Sequence, residues 1–123
     1  MNLYNKRLPE YPLGKATSVL GNKWKPIIIV TIGKKTLRFG EIAASIHPIS
    51  RKVLTDQLRE LENDDVLVRK EFKELPPRVE YSLTEKGISL LPILSLFEKW
   101  EHQYCSEETI LESTTPLLIS QKL

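Results

Sequence analysis

Pro48 constrains this chain more than any other single residue. On its N-terminal side, "LRFGEIAASI" (37–46) sets Phe39, Ile42, Ala43 and Ile46 at the i, i+3, i+4, i+7 spacing of an amphipathic helix. On its C-terminal side, "SRKVLTDQLRELE" (50–62) sets Leu54, Leu58 and Leu61 on one side of a second helix. A proline pushes the preceding residue out of the helical region, so the first helix must stop before His47-Pro48. Ser50 can then accept from the orphan N–H groups of the next first turn. Two helices joined by so short a connection form a helix-turn-helix.

The flanking segments extend this unit. Residues 1–12, with Pro9 and Pro12, read as an extended arm. A short helix is expected over Lys15–Leu20, ended by Gly21. A second runs from near Pro26, tolerated in a first turn, through "IIIVTI" to Gly33, although its β-branched residues would also suit a strand. After "NDD" (63–65) the period changes to two: Val79, Tyr81 and Leu83 alternate with Arg78, Glu80 and Ser82. "VLVRKEF" supplies the partner strand, and "KELPP" the hairpin tip. Thr84 is expected to cap one long last helix, with Leu90, Ile93, Leu94, Phe97, Trp100 and Tyr104 at helical spacing and Pro92 kinking its start. The fold class is therefore mainly α with a small β-hairpin wing, a winged helix-turn-helix. One domain over 13–104 lies between the arm and a tail, 105–123.

At 41% hydrophobic and 28% charged residues, the 123-residue chain has the composition of a globular domain and not of a disordered one. Its longest aliphatic run, "IIIV", is far below the roughly 20 residues a membrane span needs. "LPEYPLG" after Lys6-Arg7 offers no apolar stretch for a secretory signal. The single cysteine, Cys105, leaves no intrachain disulfide framework and fits a reducing, cytoplasmic setting. The net charge of +2 hides a polarised distribution. Between Lys23 and Lys52 seven cations face Glu41 alone, whereas five glutamates between Glu98 and Glu112 face only Lys99. Such a surface can approach a polyanion from one side.

The fourth helix carries the chemistry. Arg51, Lys52, Thr55 and Arg59 fill the sector beside its leucines, where a solvated face would usually mix in more acids. A helix in the major groove sets its N-terminal residues against base edges. Arg and Lys donate to guanine, and Thr reaches a base, a thymine methyl or a phosphate. Ser50 and the free N–H groups of the first turn suit a phosphate. The hairpin tip adds Lys70, Lys73 and Arg78 around "LPP", while Arg38, Lys23 and Lys25 are expected to flank the same surface. Asp56 and Glu62 would repel phosphates unless turned away.

With these segments in place, the chain resembles the HxlR-type winged helix-turn-helix regulators, close to the MarR group. The resemblance rests on "GNKWKPIII" (21–29), "LRFGEIAASI", "ISRKVLTDQLRELE" (49–62), "PPRVEYSLTEKG" (76–87) and "LLPILSLFEKW" (90–100), spanning about residues 12–104. It implies a cytoplasmic homodimer that binds a double-stranded DNA operator and regulates transcription. By position it assigns Ser50, Arg51, Lys52, Thr55 and Arg59 to the recognition helix (50–63). Lys73, Pro77 and Arg78 fall on the wing (68–83), and Arg38 becomes a backbone contact. The first and last helices would form the dimer interface through Leu13, Leu20, Leu90, Ile93, Leu94, Phe97, Trp100 and Tyr104. Two positions depart from the pattern. Where family members hold a sensor cysteine before an N-terminal proline, this chain has Tyr11 before Pro12, which puts that redox switch in doubt. Where the fourth helix usually ends in Asp-Gly, this one ends Asp64-Asp65, so the turn into the wing is expected to be altered.

Other functions find less support. Cys105, three residues after His102, offers too few ligands for a structural zinc, and no cofactor or metal is expected. A stress sensor working through Cys105, or an unidentified small-molecule effector, stays open. So does a winged helix used only as a protein-interaction module. Trp24 and Trp100 read as core or interface. No glycine-rich phosphate loop, HExxH or serine elbow is present, which argues against an enzyme.

Overall fold

The local signals around "GNKWKP" show how the first helices are set. In the computed structural model, which describes residues 11–105, Asn22 Oδ1 accepts from the N–H groups of Trp24 (2.9 Å) and Lys25 (3.0 Å). This opens a helix over Trp24–Ile32 with Pro26 in its first turn. Gly33, at φ 55°, ends it. Ile28, Ile29 and Ile32 are wholly buried, so burial overrides the β preference of their branched side chains. A shorter helix, α1, covers Gly14–Val19, and the Trp24–Ile32 helix is α2. The arm up to residue 10 and the tail from 106, with Glu107, Glu108 and Glu112, lie outside the described residues.

The segment 37–46 differs from its expected form. Leu37–Arg38 is a short strand, β1, and the helix, α3, begins only at Phe39 and runs to Ser45. The Arg38 N–H donates to Glu41 Oε1 at 2.8 Å and so starts the helix there. Ile42 and Ile46 are buried, and a tight turn past Pro48 leads to the fourth helix, α4, over Arg51–Asn63. Ser50 Oγ accepts from the Val53 N–H at 3.1 Å, as the cap position requires. Leu54, Leu58 and Leu61 are each at most 2% exposed and hold α4 in the core.

The expected hairpin forms from β2, Leu67–Phe72, and β3, Arg78–Leu83, in antiparallel register from Leu67↔Leu83 to Phe72↔Arg78. β1 adds to the other side of β3 through Leu37↔Tyr81 and Arg38↔Glu80, giving the order β1-β3-β2. The turn from α4 into β2 keeps the geometry that glycine normally supplies. Asp65 adopts φ 62°, the Asp65 N–H donates to Glu62 O (3.0 Å), and the Val66 N–H donates to Leu61 O (2.9 Å). These two bonds are a complete Schellman motif, sealed by buried Leu61 and Val66. The Asp-Asp end expected to alter this turn therefore leaves it intact.

The single long last helix is instead two. Thr84 caps a four-residue helix, α5 (Glu85–Ile88), its Oγ1 accepting from the Gly87 N–H at 3.0 Å. The helix α6 follows over Leu91–Tyr104. Pro92, its second residue, has no N–H to donate and its ring would strike the carbonyl of Ile88, so the two cannot be continuous. The chain divides into two units at this place, one up to Leu91 and one from Pro92 onward. In the second, Leu94 is buried, while Leu96, Phe97, Trp100 and Tyr104 are each at least 60% exposed and Ile93 is 47% exposed. No helix among the described residues is long and apolar enough to cross a membrane.

Candidate nucleic-acid interface

The outward face of α4 is cationic and open. Arg51, Lys52, Thr55 and Arg59 are all exposed, the side chains of Lys52 and Arg59 by 83% and 68%. Asp56 does not repel from this face, because it lies between two cations. Lys52 Nζ is 2.9 Å from its Oδ2 and Arg59 Nη1 is 4.0 Å from its Oδ1. Exposed pairs of this spacing are worth about 0.3–0.5 kcal/mol, too little to keep either cation from a phosphate. Arg51 is placed by stacking, its guanidinium 4.8 Å from the ring centre of Phe39 on α3. Thr55 Oγ1 donates to the Arg51 carbonyl at 2.8 Å, so its oxygen can still accept. Ser50 acts first as the helix cap, and its hydroxyl hydrogen remains free to donate.

Beside this face an open cleft of about 360 Å³ joins α3 and α4 to the root of the wing. Phe39, Thr55, Leu58, Arg59, Glu62, Arg69 and Tyr81 line it. Glu62 therefore lies toward the wing and away from the N-terminal turn. Arg69 was not among the sequence candidates, because its strand position becomes relevant only when the sheet is folded against α4.

The wing contributes less charge than its sequence suggests. Arg78 is folded along the hairpin, with Nε 3.2 Å from Glu80 Oε2, Nη1 3.4 Å from Glu74 Oε2, and the guanidinium 4.0 Å over the Phe72 ring. It is 26% exposed, so the arginine expected at the wing contact is already paired. Lys73 and Pro77 are exposed at the tip, together with Leu75, which is 98% exposed. Arg38 is exposed at the start of α3.

Two flanking cations take different places from those expected. Lys23 rests over its neighbour Trp24, Nζ 4.6 Å from the ring centre. Lys25 does not flank the surface at all: it is 5% exposed, with Nζ 2.7 Å from Glu60 Oε1 on α4. A sequence shows only that Lys25 is a lysine near a proline. Its burial depends on the packing of α2 against α4.

Of the residues expected at a subunit contact, Leu13, Ile93, Phe97, Trp100 and Tyr104 are exposed. Trp100 and Tyr104 also stack, with ring centres 5.4 Å apart. Leu20 and Leu90 are half-buried. Leu94 is buried. Among the described residues no three His, Cys, Asp or Glu side chains converge to hold a metal ion.

Comparison with known proteins agrees with this geometry. A family model described as "HxlR-like helix-turn-helix" matches residues 19–109. The regulatory protein MalR of Fusobacterium mortiferum is 46% identical over 84 residues, covering 68% of this chain and 79% of MalR. A MarR-family transcriptional regulator from Porphyromonas gingivalis W83 superposes with a TM-score of 0.74 at 36% identity, over 78% of this chain and 94% of that one. The redox regulator HypR in its oxidized form gives a TM-score of 0.71 at 38% identity, over 76% of this chain and 96% of HypR. With a helix-turn-helix, a hairpin wing in a three-stranded sheet and a cationic α4 in place, the chain belongs to the HxlR-like helix-turn-helix family and is a transcriptional regulator with a winged-helix DNA-binding domain.

Proposed function

We propose that this protein acts in the cytoplasm as a homodimer that binds an operator, with α4 in the major groove and the wing on the backbone or in the minor groove. The observation that carries this reading is the unsequestered face of α4, where Arg51, Lys52, Thr55 and Arg59 stand exposed beside a capped first turn. Arg51 and Arg59 are the base or phosphate donors, Thr55 a base contact, and Ser50 a phosphate contact. Lys73 follows the backbone from the wing tip, and Arg38 does so from the start of α3.

The exposed Ile93, Leu96, Phe97, Trp100 and Tyr104 supply the apolar face that a second copy would cover. A monomer rarely leaves so many large apolar side chains together in water. Two α4 helices held in this way meet half-sites about 10 base pairs apart, or a multiple of that.

A gel-shift titration on a duplex of the protein's own upstream region, at two salt concentrations, tests the reading. Binding is expected to weaken steeply with salt. Arg51→Ala with Arg59→Ala is expected to lower the slope of log K against log salt by about 2. Binding that ignores salt, or survives the double substitution, refutes it and favours a protein-interaction module.

HypR is named a redox regulator, but here Tyr11 occupies the family's sensor position and the one thiol is the half-buried Cys105. Replacing Cys105 by Ser is the test of a redox effector. Loss of an oxidant response supports a thiol switch, and an unchanged response removes it.

A further inference from the structure

The segment before α2 grips α4 on the side away from its cationic face. Asn22 uses both ends of its amide at this junction. Its Oδ1 accepts from two N–H groups at the start of α2, and its Nδ2 donates to Gln57 Oε1 on α4 at 2.8 Å. One turn further along α4, Glu60 meets Lys25 at 2.7 Å. At about 100° per residue, Gln57 and Glu60 span a sector of roughly 60°, centred roughly 150° around the helix from Thr55 and Arg59.

The buried cation is the unexpected part. Lys25 is the one charged side chain buried among the described residues, and by helical spacing it shares its stripe of α2 with the fully buried Ile28, Ile29 and Ile32. An apolar side chain there would avoid the desolvation of an ammonium group. What it could not supply is direction. Leucine and isoleucine contacts hold α4 to the core through close packing, and dispersion itself has no preferred angle beyond shape. A hydrogen bond and an ion pair to two adjacent positions do have one.

We propose that Asn22 and Lys25, acting on Gln57 and Glu60, form a latch that sets the rotation of α4 and thereby its discrimination between operator and other DNA. This inference rests on the DNA-binding reading above, and it makes Asn22 and Lys25 positioning residues without contact to DNA. A rotation of about 10° moves a group some 6 Å from the axis by about 1 Å. That is enough to spoil a bidentate contact to a base edge, while contacts to the more forgiving phosphates persist.

The test compares binding to a duplex of the protein's own upstream region with binding to a random duplex of equal length, alongside thermal unfolding. Lys25→Met fills the site with an apolar chain and leaves Glu60 hydrated, since its side chain is 54% exposed. Gln57→Ala keeps both acceptor contacts of Asn22 to α2 and removes only the partner of its amide donor. Each is expected to weaken binding to the upstream duplex about tenfold, with binding to the random duplex, the salt slope and the unfolding midpoint unchanged. Gln57→Glu, which still accepts from Asn22, is expected to bind as the parent does. Asn22→Asp combined with Gln57→Lys re-forms the bond with opposite polarity and is expected to restore discrimination.

Equal losses on both duplexes, or a lowered midpoint that tracks the loss, overturn the latch in favour of a purely structural role. A salt slope lowered by about 0.9 in Lys25→Met would put Lys25 on a phosphate and likewise overturn it. Failure of the parent protein to bind any duplex would instead remove the DNA-binding reading beneath it.

Discussion

Asp65→Gly is the substitution whose sign follows most directly from the structure. Asp65 stands at φ 62°, where an L-residue costs roughly 1–2 kcal/mol and aspartate lies at the lower end. Its carboxylate is also exposed at the C-terminus of α4, where a negative charge is unfavourable by about 0.3 kcal/mol. Lys86 partly answers that charge, its Nζ donating to the Asp64 carbonyl at 2.8 Å. Glycine removes both penalties but brings a more flexible unfolded chain, a loss of about 0.5 kcal/mol. The bonds that close the turn use only the backbone atoms of residue 65, including the Asp65 carbonyl that accepts from the Thr84 hydroxyl at 2.6 Å, so they survive the change.

The expected net effect is a stabilisation of about 0.5–1 kcal/mol, or a rise of about 2–5 °C in unfolding midpoint. Thermal unfolding followed by circular dichroism at one fixed protein concentration measures it, the concentration being held because subunit association shifts the midpoint. Asp65→Asn, which removes the charge and tolerates the same backbone, is expected to gain only a few tenths of a kcal/mol. Asp65→Val is expected to lose more than about 1 kcal/mol. A glycine variant less stable than the parent, or a harmless valine, would mean that this residue is not held in the left-handed region, and the account of the turn would fail.

Other outcomes follow from the same structure. Gly87→Ala would set a Cβ 2.1 Å from the Val66 carbonyl oxygen and 3.1 Å from Leu83 Cβ, so the wing root must move. Urea titration is expected to show a loss of at least about 2 kcal/mol. Lys73→Ala is expected to lower the salt slope of duplex binding by about 0.9, and an unchanged slope would take the wing tip off the backbone. Phe97→Glu places a charge on the exposed face of α6 and is expected to give single subunits in sedimentation at micromolar concentration, with the fold retained by circular dichroism. A dimer that persists would move the subunit contact elsewhere.

The helices and the wing were legible because their signals are local. Leu54, Leu58 and Leu61 repeat at helical spacing, Ser50 is a side chain that caps, and Val79, Tyr81 and Leu83 alternate with polar neighbours. Pro48 separates two periods in a way no long-range contact has to complete. The residues of the α4 face could be named for the same reason: once the leucines face the core, geometry turns Arg51, Thr55 and Arg59 outward.

What only the folded chain decided depends on partners distant in sequence. β1 exists because Leu37 and Arg38 meet Tyr81 and Glu80, more than forty positions away. Lys25 and Arg78 each read as surface cations, yet one is buried against Glu60 and the other folded between two glutamates and an aromatic ring. A charge in a sequence announces only its sign. Whether it faces water, a carboxylate or a ligand is settled by which elements pack around it, through desolvation and pairing energies that no local pattern encodes.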